Sequence, residues 1–291
     1  MKVNLPRQFR ASVLFQEIHA RFGRFDEIPP IVDFDFSYMS FVRPSGVVFL
    51  SNLCRYLQRQ GSRVTFSGLS PVSPSIRFLD DALFFEQHLG HKLISESVPR
   101  VTTQPLLEIH LEQSHGWIGF RLIPWLSNCS GVEEIHLAEF RTCISELFNN
   151  IKDHTELDVG SIFAQWYPNE RSLEICLADF GAGIPKTVER VCEGLSDSEA
   201  ISRAFEDGFT SQSLPTNRGV GLHYLQQNVV ESLNGTIEVN SASGSLFIEK
   251  VGNLVRKMPY QHLGFCPGTL INMRISTDRI DRTDDDGAFT W

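Results

Sequence analysis

Between Phe140 and Ile151 the apolar side chains Phe140, Ile144, Leu147, Phe148 and Ile151 return at helical spacing. A helix with one long apolar stripe needs a second layer to bury it, so this part of the chain must build a sheet or another helix beside it. The flank of the same helix is polar: Glu146 and Asn150 stand four residues apart beside the stripe, and Asp153 and His154 follow. Taken alone, a Glu and an Asn at that spacing describe a solvated face.

The residues that follow supply the second layer. In "SIFAQWYPNERSLEICLAD" two β-rich runs meet at Pro168-Asn169, which predicts a hairpin. Its second run ends in Asp179, and Gly181, Gly183 and Pro185 then turn the chain sharply where backbone must approach something closely. An Asp at such a strand end can accept a hydrogen bond from a ligand's amino group while the glycines leave room for a flat ring. A tight turn stabilised by Asp fits the same residues. "DSEAISRAFEDG" reads as a short capped helix. In "NRGVGLHYLQQNVV", Gly219 and Gly221 lead into another helix, an arrangement whose unpaired N–H groups and dipole suit an anion, with Arg218 adding a cation. The polar stretch upstream, "EDGFTSQSLPTN", is suited to a loop closing over phosphates. There is neither a Walker Lys-Ser/Thr pair nor the third glycine of a dinucleotide fingerprint. "GTIEVNS", "SLFIEK" and "GTLINMRIS" read as strands, so this half is α+β with a largely antiparallel sheet.

The N-terminal half has a different rhythm. Val32, Phe34 and Phe36 alternate with Asp33 and Asp35 as a strand does, and "PSGVVFLSNLCRYLQRQG" is a helix stopping at Gly61. "RVTFSG" is a second strand, and a second helix runs from a cap at Ser73, with Pro74 in its first position, to Gly90. Strand, helix, strand, helix implies an α/β unit with a parallel component. The stretch 91–132 mixes a strand-like "PLLEIHL" with a turn-rich "SNCSGVEE", and the boundary between the halves is placed near residue 100. The tail "DRIDRTDDDGAFTW" is acidic and unpatterned.

Composition narrows the partners. A net charge of −9 opposes binding to a nucleic-acid backbone. The six cysteines show no Cys-x-x-Cys pair, which argues against zinc and a disulfide framework and for buried small hydrophobes in a reducing cytoplasm. No apolar run has the length of a membrane span, so a cytoplasmic protein is expected.

In order, Glu-x-x-x-Asn on a helix, Asp-x-Gly-x-Gly-Ile after a strand, Gly-x-Gly-Leu opening a helix and Gly268-Thr269 in a strand resemble the ATP-binding domain of gyrase, ninety-kilodalton heat-shock chaperones, histidine kinases and mismatch-repair ATPases, the GHKL superfamily. The resemblance covers roughly residues 100–278 and is closest to histidine kinases and anti-sigma kinases. It implies an α+β sandwich, the Bergerat ATP-binding fold, with ATP and Mg²⁺ as cofactors. Carried over residue by residue, it makes Glu146 the general base and Asn150 the magnesium ligand. Asp179 reads adenine, with Gly181 and Gly183 forming the turn beneath the base and Thr269 near it. Gly219 and Gly221 supply the phosphate-facing backbone, Ile184, Arg218, Val220 and Leu222 are further nucleotide-binding residues, and a lid lies near 207–220. For His154 the resemblance leaves a phosphate contact and a structural role open. Neither His110 nor His136 is followed by a phosphoacceptor box, which argues against histidine autophosphorylation.

Residues 28–90 resemble a sulfate-transporter and anti-sigma-antagonist (STAS) domain. Its phosphoserine turn reads Arg43-Pro44-Ser45-Gly46 here, so Pro replaces the phosphoserine, and a helix N-cap accounts for Ser45. The expected organisation is a STAS-like α/β domain at 1–99, the ATP-binding domain at 100–278 and a loose tail at 279–291. Three functions follow from it: slow ATP hydrolysis coupled to lid closure and partner contact, phosphorylation of serine or threonine on a separate STAS-like protein, or nucleotide-gated binding without turnover. A protein partner is expected in each, and a homodimer is compatible with all three.

Overall fold

The computed structural model describes residues 1–23, 27–154, 159–179, 181–209 and 221–280, with backbone alone at 111, 150–154, 159 and 279. The chain opens with β1 (Lys2–Asn4), β2 (Gln8–Phe9) and α1 (Ala11–Phe22). It runs through β3 (Ile31–Asp35), β4 (Phe41–Val42) and α2 (Pro44–Arg59), then β5 (Arg63–Ser67), α3 (Pro74–Asp81) and α4 (Phe84–Leu89). Helical crossovers make the three-stranded sheet β1-β3-β5 parallel, as the alternating pattern predicts. Val32 and Phe34 are buried in the core, while Asp33 and Asp35 on the other face bond to Thr65, Ser67, Ser37 and Lys2.

Two expectations for this half need correction. The single helix expected between Ser73 and Gly90 is two, because Leu83 adopts a left-handed conformation (φ 65°) between α3 and α4. Tertiary bonds override the local pattern there: the buried Asp80 carboxylate accepts the N–H groups of Leu93 (2.9 Å) and Ile94 (2.8 Å) and the Ser97 hydroxyl (2.7 Å), and the Ala82 carbonyl accepts the Leu106 N–H. Ser45 is not an N-cap either. Arg43 holds that position with no side-chain cap bond, and Ser45 lies buried inside the first turn, its Oγ accepting the Ala11 N–H.

The second half contains β6 (Thr103–His110), α5 (Leu111–Trp117), α6 (Ile123–Ser130), α7 (Ala138–His154), β7 (Val159–Tyr167) and β8 (Ser172–Ala178). It continues with α8 (Ile184–Glu189), α9 (Asp197–Ala204), α10 (Gly221–Gln226), β9 (Thr236–Val251), β10 (Leu254–Ser276) and α11 (Thr277–Ile280). The undecided stretch after β6 is helical from Leu111 to Ser130, with a widened π turn at Ile118–Leu122 just ahead of Pro124, which lacks the N–H of a regular turn. The sheet order is β6-β7-β8-β10-β9, every neighbouring pair antiparallel, and the hairpin at Pro168-Asn169 forms as expected. "GTIEVNS" and "SLFIEK" are one continuous strand, β9, and β10 begins well before "GTLINMRIS". Its register slips between Gln261 and Cys266 and again between Cys266 and Thr269, which marks a bulge.

This sheet is a middle layer. On one face Leu173, Ile175 and Leu177 of β8 join Phe140, Ile144, Leu147 and Phe148 of α7 and Leu225 of α10 in one core. On the other, Cys176 and Ala178 of β8, Phe163 of β7 and Cys266 and Leu270 of β10 share a core with α1 and α2. Arg43 adds a polar fastening there: its Nη1 donates to Glu174 Oε2 at 3.0 Å, Asn272 Nδ2 donates to Glu174 Oε1, and the guanidinium lies over the rings of Phe41 and Tyr167. Burial pushes the Glu174 pKa up against the pull of Arg43. Cys54, Cys143, Cys176 and Cys266 are buried free thiols, in line with their reading as small hydrophobes. No helix among the described residues is long and apolar enough to cross a membrane.

Candidate functional site

The turn after β8 is the most closely built part of the site. Asp179 is buried, and its Oδ1 accepts the N–H groups of Gly181 (2.7 Å) and Thr269 (3.2 Å). Its own N–H donates to the Thr269 carbonyl at 2.9 Å, so the ends of β8 and of the β10 bulge are locked together. Burial pushes the carboxyl up to about 6, opposed by the donors from Gly181 and Thr269. Near neutral pH the group is ionised but poorly solvated, and it gains from any further donor.

Two glycines let the backbone close in around it. Gly268 has φ +71°, and a Cβ there would lie 2.3 Å from the Asp179 carbonyl oxygen and 2.8 Å from Oδ1. Gly183 has φ +84°, and a Cβ there would lie 2.6 Å from Ser241 Oγ. Only glycine satisfies both the backbone conformation and the close approach. Ser241, fully buried on β9, ties these loops together: its hydroxyl donates to the Gly268 carbonyl (2.7 Å) and accepts the Ile184 N–H (3.0 Å). Ser241 was not among the expected site residues, since a serine within "NSASGS" carries no motif and acquires its role only through strand pairing.

The long helix brings the second group. Glu146 is half-buried on α7, with Asn149 Nδ2 at 3.4 Å from its Oε1. α10 lies against α7. Burial is the main cause that raises the Tyr224 pKa, and the charges of Cys143, Glu139 and Glu146 add to it. The Cys143 thiol is likewise pushed up to about 12 by burial, then by Glu139 and Glu146. Gly221 opens α10, and Leu222 packs with Ile184 on the small cluster of Val188, Ala200 and Ala204. α9 forms as the short capped helix expected, and its cap is a capping box between Ser196 and Glu199.

The structure therefore gathers Asp179, Gly181, Gly183, Ile184 and Thr269 in one place and brings Leu222 onto the cluster that Ile184 touches. Asn150 and His154 lie on the described backbone of α7, but their side chains fall outside the described residues, as do Arg218, Gly219, Val220 and the lid from residue 210 onward.

The comparisons with known proteins cover part of this region, with Gly268 and Thr269 lying beyond the matched residues. Residues 136–254 match the family model described as histidine kinase-, DNA gyrase B-, and HSP90-like ATPase. Over 102 residues the chain is 30% identical to the sensor histidine kinase CheAY of Helicobacter pylori (strain ATCC 700392 / 26695), covering 30% of this chain and 13% of that protein. The matched region runs from just before α7, through Glu146, the Asp179 turn and α10, to the start of β10. The likeness to histidine kinase-, DNA gyrase B-, and HSP90-like ATPases is therefore carried by this segment of the chain.

Proposed function

We propose that the C-terminal half binds Mg-ATP, with adenine held at Asp179 and Thr269, and cleaves the γ-phosphate slowly while changing its contacts with a partner protein. One observation carries this reading: a buried carboxylate, fixed by the Gly181 and Thr269 N–H groups, stands where Gly183 and Gly268 leave no room for side chains. Such a group accepts a hydrogen bond from the exocyclic amine of adenine, and guanine offers a carbonyl in its place. Asn150, one turn beyond Glu146 on α7, is the residue that would hold Mg²⁺, with phosphate and water oxygens completing its shell. Bound Mg-ATP supplies the electrophilic phosphate. Glu146 takes the proton from the attacking water or acceptor hydroxyl, and the Asn149 amide steadies its carboxylate. Saturable binding of ATP in preference to GTP, weakened by Asp179→Asn, is the expected result. Equal affinity in the variant removes Asp179 from the site.

We read the N-terminal α/β unit, with its parallel sheet, as STAS-like. Ser45 at its α2 terminus is buried and bonded, so transfer to that serine is disfavoured and a phosphoacceptor would lie on a separate protein. Following label from γ-labelled ATP separates the alternatives: free phosphate marks hydrolysis, a labelled second protein marks a kinase, and retained ATP marks a binding module.

A further inference from the structure

The β10 bulge joins two parts of the molecule that no motif connects. Between Gln261 and Thr269 only Cys266 keeps a ladder partner, Ala242, so packing rather than strand pairing fixes the rest of the bulge. α1 packs on β10 alongside α2 and α9, and at His262 and Gly264 the packing comes from Phe15 of α1. The His262 ring stacks on the Phe15 ring, with centroids 4.6 Å apart and planes 10° apart. Buried Gly264 lies so close that a Cβ on it would sit 2.5 Å from the Phe15 carbonyl oxygen and 2.6 Å from the Phe15 Cβ. Phe15 is itself fully buried, edge-on to Phe49 of α2 at 4.7 Å. The far end of the bulge is Gly268-Thr269, whose N–H and carbonyl hold Asp179.

We propose that α1 sets the affinity and base preference of the nucleotide site by holding this bulge, with Phe15, His262 and Gly264 as positioning residues. The inference rests on the reading of Asp179 and Thr269 as the adenine site. When α1 is seated, the bulge has one position and Thr269 presents its N–H to Asp179. When α1 lifts, the bulge loses its wall and the carboxylate loses a donor that fixes it. A change in the N-terminal unit would thereby reach the nucleotide without touching it.

The test uses the full chain and three substitutions. His262→Ala removes the stack, Gly264→Ala wedges α1 away, and His262→Phe keeps a ring on Phe15. ATP and GTP affinities are measured by titration, and hydrogen exchange is followed through residues 262–270, in proteins whose circular dichroism matches the parent. His262→Ala and Gly264→Ala should speed exchange there, weaken ATP binding roughly tenfold and narrow the ATP-to-GTP ratio, whereas His262→Phe should behave as the parent does. Faster exchange with unchanged affinity and unchanged base preference overturns the proposal. A parent protein that binds no nucleotide overturns the adenine reading and the coupling with it, while faster exchange in His262→Ala would still identify α1 as the anchor of the bulge.

Discussion

The two faces of the five-stranded sheet are covered in different ways. One face is packed by α7, which carries the motif residues Glu146 and Asn150, and by α10, which opens with Gly221. The other is packed by α1 and α2, which carry none of those motifs, yet they bury Ala178 and Leu270, the immediate neighbours of Asp179 and Thr269. On the proposed reading the motifs mark the face that meets the ligand, while the opposite face packs against the strand ends that carry Asp179 and Thr269.

The largest test of this difference is to remove one cover. A chain beginning near residue 100 exposes Phe163, Cys176, Ala178, Cys266 and Leu270, and each large side chain among them contributes about 1.5–3 kcal/mol by burial. Set against the roughly 5–15 kcal/mol that holds a typical domain, the truncated chain should lack cooperative unfolding by calorimetry. A sharp transition with native ATP binding would make the N-terminal cover dispensable.

Next in size is a change on the motif face. Glu146→Ala should lower phosphate release by about 10²–10⁴-fold with ATP affinity unchanged, as loss of a general base requires. Turnover that survives takes Glu146 out of that role.

Arg43→Ala probes the other cover by leaving Glu174 buried without its cation. Breaking such a pair costs about 3 kcal/mol, and the double variant Arg43→Met with Glu174→Leu should regain most of it. Denaturant unfolding measures both, and equal losses in the single and double variants would show that shape rather than charge fastens α2 to β8.

The smallest effect is one of pH. Asp179 in the folded chain titrates at about 6, above its ordinary 3.8, so the folded state binds more protons than the unfolded state between those values. Stability should therefore fall as pH rises from about 4 to about 6, by at most about 3 kcal/mol, because each tenfold difference in proton affinity between the two states is worth roughly 1.4 kcal/mol. Asp179→Asn should flatten that slope. An unchanged slope would assign it to another group.

Legibility in the sequence followed the same division. The stripe of α7, the hairpin at Pro168-Asn169 and the Asp179 turn are local patterns, and each formed where its residues predict it. α1 was not expected, although Leu14, Phe15, Ile18 and Phe22 recur at helical spacing, because that spacing does not reveal the distant strand on which the helix packs. The first part of β10 was missed because Pro259, Gly264, Pro267 and Gly268 read as turn residues. The break at Leu83 depends on bonds to Asp80 from residues 93–97, and the role of Ser241 depends on its contacts with residues 184 and 268. In each case a tertiary partner far along the chain decided the outcome.

The central question is whether Asp179 holds adenine. Calorimetric titration of Mg-ATP into the full chain, with Asp179→Asn and Glu146→Ala alongside, reads this without requiring turnover. Saturable binding in the parent, retained in Glu146→Ala and weakened at least tenfold in Asp179→Asn, is the predicted result, since a hydrogen bond to a charged group contributes about 1.5–3 kcal/mol. Equal binding in the parent and Asp179→Asn, or none in either, would contradict it.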